Sequence, residues 1–152
     1  MTSANLTIRP LAAGDFEAWL PLWQGYLRFY KASVPEATTQ LSFERLTNGK
    51  EPMGGFIAQD GAGVCVGIVH WILHRSTWTQ GNYCYLQDLY VSETSRRGGI
   101  GPALIERVCE EARARQCSRV YWLTHETNTA AMAVYDKIAD RSGFLQYRKL
   151  LG

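Results

Sequence analysis

Tyr85-Leu-Gln-Asp-Leu-Tyr-Val91 leads through Ser92-Glu-Thr-Ser95 into Arg96-Arg-Gly-Gly-Ile-Gly101, and a helix-patterned stretch follows at once. The order reads as a strand, a loop with few Cβ atoms and a helix N-terminus. Such a junction presents backbone N–H groups without intrahelical partners, and the helix dipole adds partial positive charge there. It is a ready seat for a phosphate or pyrophosphate. The glycines stand at 98, 99 and 101, and position 104 is Leu, so the dinucleotide fingerprint G-x-G-x-x-G is not completed. No Gly-Lys-Ser/Thr follows, which excludes an ATP-binding P-loop. The plainer alternative is a helix-start loop that carries two exposed arginines.

The 152 residues fit one domain. A hydrophobic content of 46% and a charged content of 20% are those of a soluble globular chain. The net charge of +2 is too mild for a nucleic-acid partner, and no Lys/Arg run or basic aromatic stripe occurs. The N-terminus lacks a signal-peptide pattern, and no apolar run approaches the ~20 residues of a membrane span. Cys65, Cys84, Cys109 and Cys117 form no close pair, so free, mostly buried thiols in a reducing cytoplasm are expected rather than a zinc site.

Working outward from the loop, Gly101 to about Arg115 reads as a helix burying Leu104, Ile105, Val108, Cys109 and Ala112. Upstream, Thr7–Pro10 reads as an edge strand, and Asp15 as the cap of a helix running to about Tyr30. A short helix is expected over Gln40–Leu46, then strands over Gly54–Gln59 and Val64–Leu73 joined by the turn Asp60-Gly-Ala-Gly63. Tyr83–Val91 is a third central strand. Downstream come a strand at Val120–Thr124, a helix from Asn128 to about Ala139, and a final strand at Phe144–Lys149. The order β-α-α-β-β-β-α-β-α-β specifies an α/β fold, a mixed sheet with helices on both faces.

Asn128 and Tyr135 are seven residues apart. At ~100° per residue they return to within ~20° of one line, about 10 Å apart along a helix. An elongated ligand would meet the amide near the helix start and the phenol near its middle. A capping Asn and a packed Tyr are the structural alternative.

Arg96-x-x-Gly99-x-Gly101 resembles the pyrophosphate-binding loop of the GCN5-related N-acetyltransferases (GNATs), which hold acetyl-coenzyme A (acetyl-CoA). Asn128-x-x-Ala131-x-x-x-Tyr135, ahead of Ser142-Gly-Phe144, resembles that family's other hallmark. The wider match, through Tyr85–Val91 and Tyr121-Trp-Leu-Thr-His-Glu-Thr-Asn128, is most similar to the histone/polyamine acetyltransferase branch. The resemblance implies a single domain over residues 1–152, with a mixed, mostly antiparallel sheet. It implies transfer of the acetyl group of acetyl-CoA to a primary amine, on a small molecule (a polyamine or an amino acid, for example) or on a protein lysine, through a tetrahedral intermediate. Cofactor contacts then fall on Leu89, Tyr90 and Val91, on Arg96, Arg97, Gly98, Gly99, Ile100, Gly101 and Pro102, and on Asn128, Ala131 and Tyr135. Leu89–Val91 would also supply the N–H donors for the oxyanion. Tyr135 would protonate the departing thiolate. A homodimer with the final strand in its interface is expected.

The proton acceptor is where the chain departs from its relatives. A lysine-like amine, pKa ~10.4, must shed a proton at a cost of about 4–5 kcal/mol at pH 7. The polyamine enzymes carry Glu where this chain has Gln87, which takes no proton. Asp88 is adjacent, but a regular strand turns it to the opposite face, and only a bulge would bring it inward. His125, Glu126 and a water wire are the other candidates, and a water-mediated path oriented by Gln87 is the preferred expectation. The missing Glu also admits a non-catalytic acyl-CoA sensor, or a structural domain with an idle loop. Trp23, Tyr26 and Tyr30 recur at helical spacing, either as core or as an acceptor wall offering ~0.5–2 kcal/mol of cation–π attraction to an ammonium. Glu126 and Gln87 complete the candidate acceptor contacts. His70 and His74 share a strand face, where sheet packing outweighs metal ligation for want of a third ligand.

Overall fold

The fold is seen in a computed structural model that describes residues 5–152. They form two compact units, one running to Trp122 and the other Leu123–Gly152. The first unit holds five strands in chain order across one sheet: β1 (Thr7–Pro10), β2 (Met53–Gln59), β3 (Cys65–His74), β4 (Tyr83–Val91) and β5 (Arg119–Tyr121). The first four pair antiparallel. A helical crossover through α3 (Ile100–Ala114) makes β5 parallel to β4.

Two helices, α1 (Phe16–Phe29) and α2 (Glu36–Thr47), precede β2. Trp19, Leu22 and Trp23 of α1 and Phe43 and Leu46 of α2 bury against Ile57 and Ile68. Each such side chain contributes about 1.5–3 kcal/mol of burial. The neighbouring strand positions point the other way, and there α3 packs. Ile100, Leu104, Ile105, Val108 and Ala112 are its buried stripe, while Cys109 is only half-buried. Gly67 permits that contact, because a Cβ there would lie 3.1 Å from Leu104 and 3.3 Å from Ile100. All four cysteines are free thiols.

The sheet breaks its regularity at the centre. His70 pairs with Asp88 but Trp71 pairs with Leu86, so Gln87 is an extra residue in β4. This bulge shifts the in/out alternation by one. Asp88 is turned inward and buried, whereas Gln87 is exposed. The expectation that Asp88 faces the other side of the sheet held only for a regular strand. A second irregularity lies at the β4–β5 edge, where pairing covers Tyr83–Tyr85 alone. Among the described residues, the β4 edge beyond Tyr85 has no partner strand on that side.

Several expected boundaries move. Asp15 stands at the N-cap of α1 without capping it. Its carboxylate instead accepts two 2.8 Å hydrogen bonds from Arg9 and a third from the Ala12 N–H. A charge-assisted, bidentate partner outcompetes the helix end. The second helix starts at Glu36, directly after Pro35, four residues earlier than its apolar pattern suggested. The strand expected over Val120–Thr124 is Arg119–Tyr121.

The second unit contains α4 (Thr129–Ile138), with Asn128 at its N-cap accepting from the Ala131 N–H at 3.4 Å. The final strand expected at Phe144–Lys149 does not form among the described residues. Its apolar side chains stand in solvent, Phe144 at 81% and Tyr147 at 93% exposure. Strand propensity alone supplies no ladder, and this segment pairs with no other strand.

Candidate active site

The β4-loop-α3 junction takes the expected form, with α3 beginning at Ile100, one residue early. Gly99 is the N-cap at φ 74°, a left-handed conformation that glycine adopts without the cost a Cβ would bring, and no side chain caps the helix. Among the described residues no acceptor takes the N–H groups of Gly99, Ile100 or Gly101. A Cβ added at Gly99 or Gly101 would meet nothing within 4 Å, so the backbone there is open to approach. Pro102 carries no N–H and loses nothing in the first turn. Open amides at a helix start fit a diphosphate on chemical grounds.

The two arginines of the loop differ. The Arg96 Nε donates to the Val91 carbonyl at 3.0 Å, and its guanidinium lies 5.6 Å from the Phe29 ring centroid and 5.5 Å from that of Tyr90. Arg96 thus ties the loop to the end of β4 and to α1. Arg97 sits at φ 79°, uncommon for a residue with a Cβ, and its side chain makes no hydrogen bond or ion pair among the described residues. Tyr90 fits against α1 because residue 25 is Gly; a Cβ there would sit 2.6 Å from the phenol oxygen. Leu89, Tyr90 and Val91 lie on the part of β4 that β5 leaves unpaired.

At the bulge the structure brings together residues that sequence reasoning left apart. Asp88, 8% exposed, takes a hydrogen bond at 2.9 Å from the Nδ1 of His70, itself 3% exposed. The His70 Nε2 accepts from the Trp19 indole N–H at 3.0 Å. The Tyr26 phenol is held far above its ordinary pKa, first by burial and then by the neighbouring Asp88 charge. Tyr30 and Tyr85 are shifted upward for the same two reasons, burial first. One buried carboxylate therefore stands among three phenols that remain protonated at neutral pH.

The α1 aromatics grade from core to rim. Trp19 stacks on Trp23 at 5.6 Å, Trp23 on Tyr26 at 5.4 Å, and Tyr26 meets Tyr30 at 5.0 Å. Trp23 belongs to the core, with its indole N–H on the Thr39 hydroxyl of α2. Tyr30 is exposed. Tyr85 stacks on Tyr121 at 5.0 Å, and the Tyr121 hydroxyl lies 2.7 Å from the His74 Nε2. His70 and His74 are thus engaged separately, and no group of three or more metal-ligand side chains occurs among the described residues.

The remaining candidates lie in the second unit. Tyr135 and Ala131 are half-buried on α4, Asn128 caps that helix, and Glu126 is exposed before it. Sequence reasoning missed the role of His70 and Trp19. Antiparallel pairing of two adjacent strands would have set His70 opposite Asp88, but the bulge that decides facing leaves no local signal.

The acetyltransferase (GNAT) family profile matches residues 19–139, and the chain belongs to that family. It is 30% identical over 150 residues to the D-amino-acid N-acetyltransferase HPA3 of Saccharomyces cerevisiae, covering 98% of this chain and 93% of that protein. It is 31% identical over 108 residues to a thialysine N-epsilon-acetyltransferase of Caenorhabditis elegans, covering 71% of this chain and 64% of that one. Among solved structures, AAC(6')-Iy in complex with the bisubstrate analog CoA-S-monomethyl-acetylneamine superposes with a TM-score of 0.82 at 18% identity, over 97% of this chain and all of that one. The chain is an acetyltransferase that transfers acetyl groups to amines.

Proposed function

We propose that this enzyme takes its acetyl group from acetyl-CoA and delivers it to the primary amine, an ammonium at neutral pH, of a small acceptor such as an amino acid or a related amine. The observation that carries the reading is a buried carboxylate, Asp88, on the strand whose edge is unpaired beyond Tyr85 and which leads into a loop of open main-chain amides. The family match crosses both units, which supports reading residues 1–152 as one acetyltransferase domain. The relatives named for D-amino acids and thialysine support an amino-acid acceptor over a protein lysine.

In this reading the N–H groups of Gly98, Gly99, Ile100 and Gly101, with Arg97 beside them, hold the diphosphate of the cosubstrate. Leu89–Val91 offer main-chain hydrogen bonds to the thioester end, and Asn128 and Ala131 border the pantetheine by resemblance. Bound acetyl-CoA supplies an activated acyl group and a thiolate leaving group. Asp88 receives the ammonium of the acceptor between Tyr26, Tyr30 and Tyr85, and takes the proton that the amine must lose. Tyr135 supplies the proton for the thiolate. Gln87, exposed on the bulge, orients water or acceptor at the rim, and Glu126 is a further acceptor contact. Asp88 removes the reason for a non-catalytic sensor, because a carboxylate stands one residue from the position where the polyamine enzymes have Glu.

Turnover of acetyl-CoA with D- and L-amino acids, polyamines and a lysine peptide, followed by thiol release, tests the proposal. Thiol release with small amines supports it; release with the peptide alone moves the acceptor to proteins. Four free thiols support a reducing, cytoplasmic setting, and no helix among the described residues is long and apolar enough to cross a membrane. The exposed Phe144, Leu145 and Tyr147 support a homodimer that covers them, and Phe144→Asp should then shift the dimer to monomer in sedimentation.

A further inference from the structure

The indole N–H of Trp19 can only donate. Its 3.0 Å bond to the His70 Nε2 therefore requires a lone pair on that nitrogen and places the ring proton on Nδ1. Nδ1–H then points at Asp88 Oδ2, 2.9 Å away. The chain Trp19–His70–Asp88 spans α1, β3 and β4, and all three members are buried, at 0%, 3% and 8% exposure. Trp19 and Trp23 wall the imidazole, with ring centroids 6.0 and 5.7 Å from it. A second indole bond, Trp23 to Thr39, fixes α1 to α2, so the donor end of the chain is anchored in the core.

We infer that Trp19 and His70 are positioning residues of the acetyl transfer: the indole locks one imidazole tautomer, and the imidazole commits Asp88 Oδ2 so that Oδ1 is left for the acceptor amine. The inference rests on the reading of Asp88 given above and adds to it. A carboxylate at a bulge is otherwise free to rotate about its side-chain bonds, and a buried one with one oxygen fixed presents the other in a single direction. His70 shuttles no proton in this arrangement, because both of its nitrogens are already engaged. It acts through Asp88 and touches no reacting atom.

Three variants separate this role from simple packing. An Asn side chain places its amide N–H where the imidazole has Nδ1–H, so His70→Asn keeps the donor to Asp88 and His70→Leu removes it. Trp19→Phe removes the indole N–H and keeps an aromatic ring in the core. The readouts are kcat and KM with the amine that the wild-type enzyme turns over fastest, coenzyme A affinity by calorimetry, and thermal midpoint. Loss of one hydrogen bond to a charged group lowers kcat/KM about 10- to 100-fold. We expect that loss in His70→Leu, carried by kcat, with coenzyme A affinity unchanged. His70→Asn should recover to within about 5-fold of wild type, and Trp19→Phe should fall between the two. Equal losses in His70→Asn and His70→Leu overturn the inference, as does a His70→Leu enzyme of wild-type rate, or one whose coenzyme A affinity and midpoint fall in step with its rate. If Asp88→Asn is inactive while His70→Leu is unaffected, the positioning role alone fails. If Asp88→Asn turns over at the wild-type rate, the reading of Asp88 fails and takes the positioning role with it.

Discussion

Among the described residues, the bonds seen in the sheet-centred unit and those seen in Leu123–Gly152 differ in kind. The first is tied by bonds between distant residues in buried surroundings: Trp19 to His70, His70 to Asp88, Trp23 to Thr39. The second shows local ones, the Asn128 cap and the exposed Arg141–Asp136 pair five residues apart. Long-range buried bonds fix a side chain to within the tolerance that chemistry needs, whereas local exposed ones define a helix and little more. Asp88, on β4, is held by a bond of the first kind.

The sharpest way to break that contrast is Asp88→Asn, which keeps the shape and removes the proton acceptor. It should lower kcat/KM by about 10²- to 10⁴-fold, measured by thiol release, while an exposed pair variant such as Arg141→Ala leaves the rate untouched. Equal effects would abolish the distinction. Next comes Gly25→Val. Its side chain would collide with the Tyr90 phenol, and overpacking of this kind costs about 1–3 kcal/mol, read as a lowered urea midpoint. An unchanged midpoint would show that Tyr90 is not held against α1.

Asn128→Ala should cost about 0.5–2 kcal/mol through loss of the cap, and a rise in the KM for acetyl-CoA beyond that would give Asn128 a ligand role as well. A smaller effect is expected at Asp15. Its carboxyl is held below the usual range chiefly by the Arg9 hydrogen bond, so the pair stabilises the fold fully above the unfolded Asp value of ~3.9 and loses that contribution as pH falls through the folded value. Arg9→Gln should narrow the difference in thermal midpoint between pH 6 and pH 3. Smallest is Gln87→Glu, which adds a second carboxylate at the bulge; a modest rise in rate or a lower pH optimum would place residue 87 on the proton path, and no change would remove it.

Much of this was written in the chain. Periodicity and glycine placement located β2, β3, β4, α3 and α4 to within a residue or two, because burial on one face and turn chemistry leave local marks. The loop at 96–101 was readable for the same reason. The bulge at Gln87 was not, since it exists only in the pairing of β3 with β4, and with it went the facing of Asp88. His70 looked like sheet packing because its partners lie 51 and 18 residues away. Residues 144–149 carry strand-like composition, yet a strand is made by pairing, and among the described residues none pairs with that segment.

A crystal structure with a bisubstrate analogue, coenzyme A joined through an acetyl bridge to the preferred amine, reads both ends of the site at once. The account predicts the diphosphate on the N–H groups around Gly99 and the amine nitrogen within about 3 Å of Asp88. A diphosphate bound elsewhere, or an amine directed away from Asp88, would contradict it.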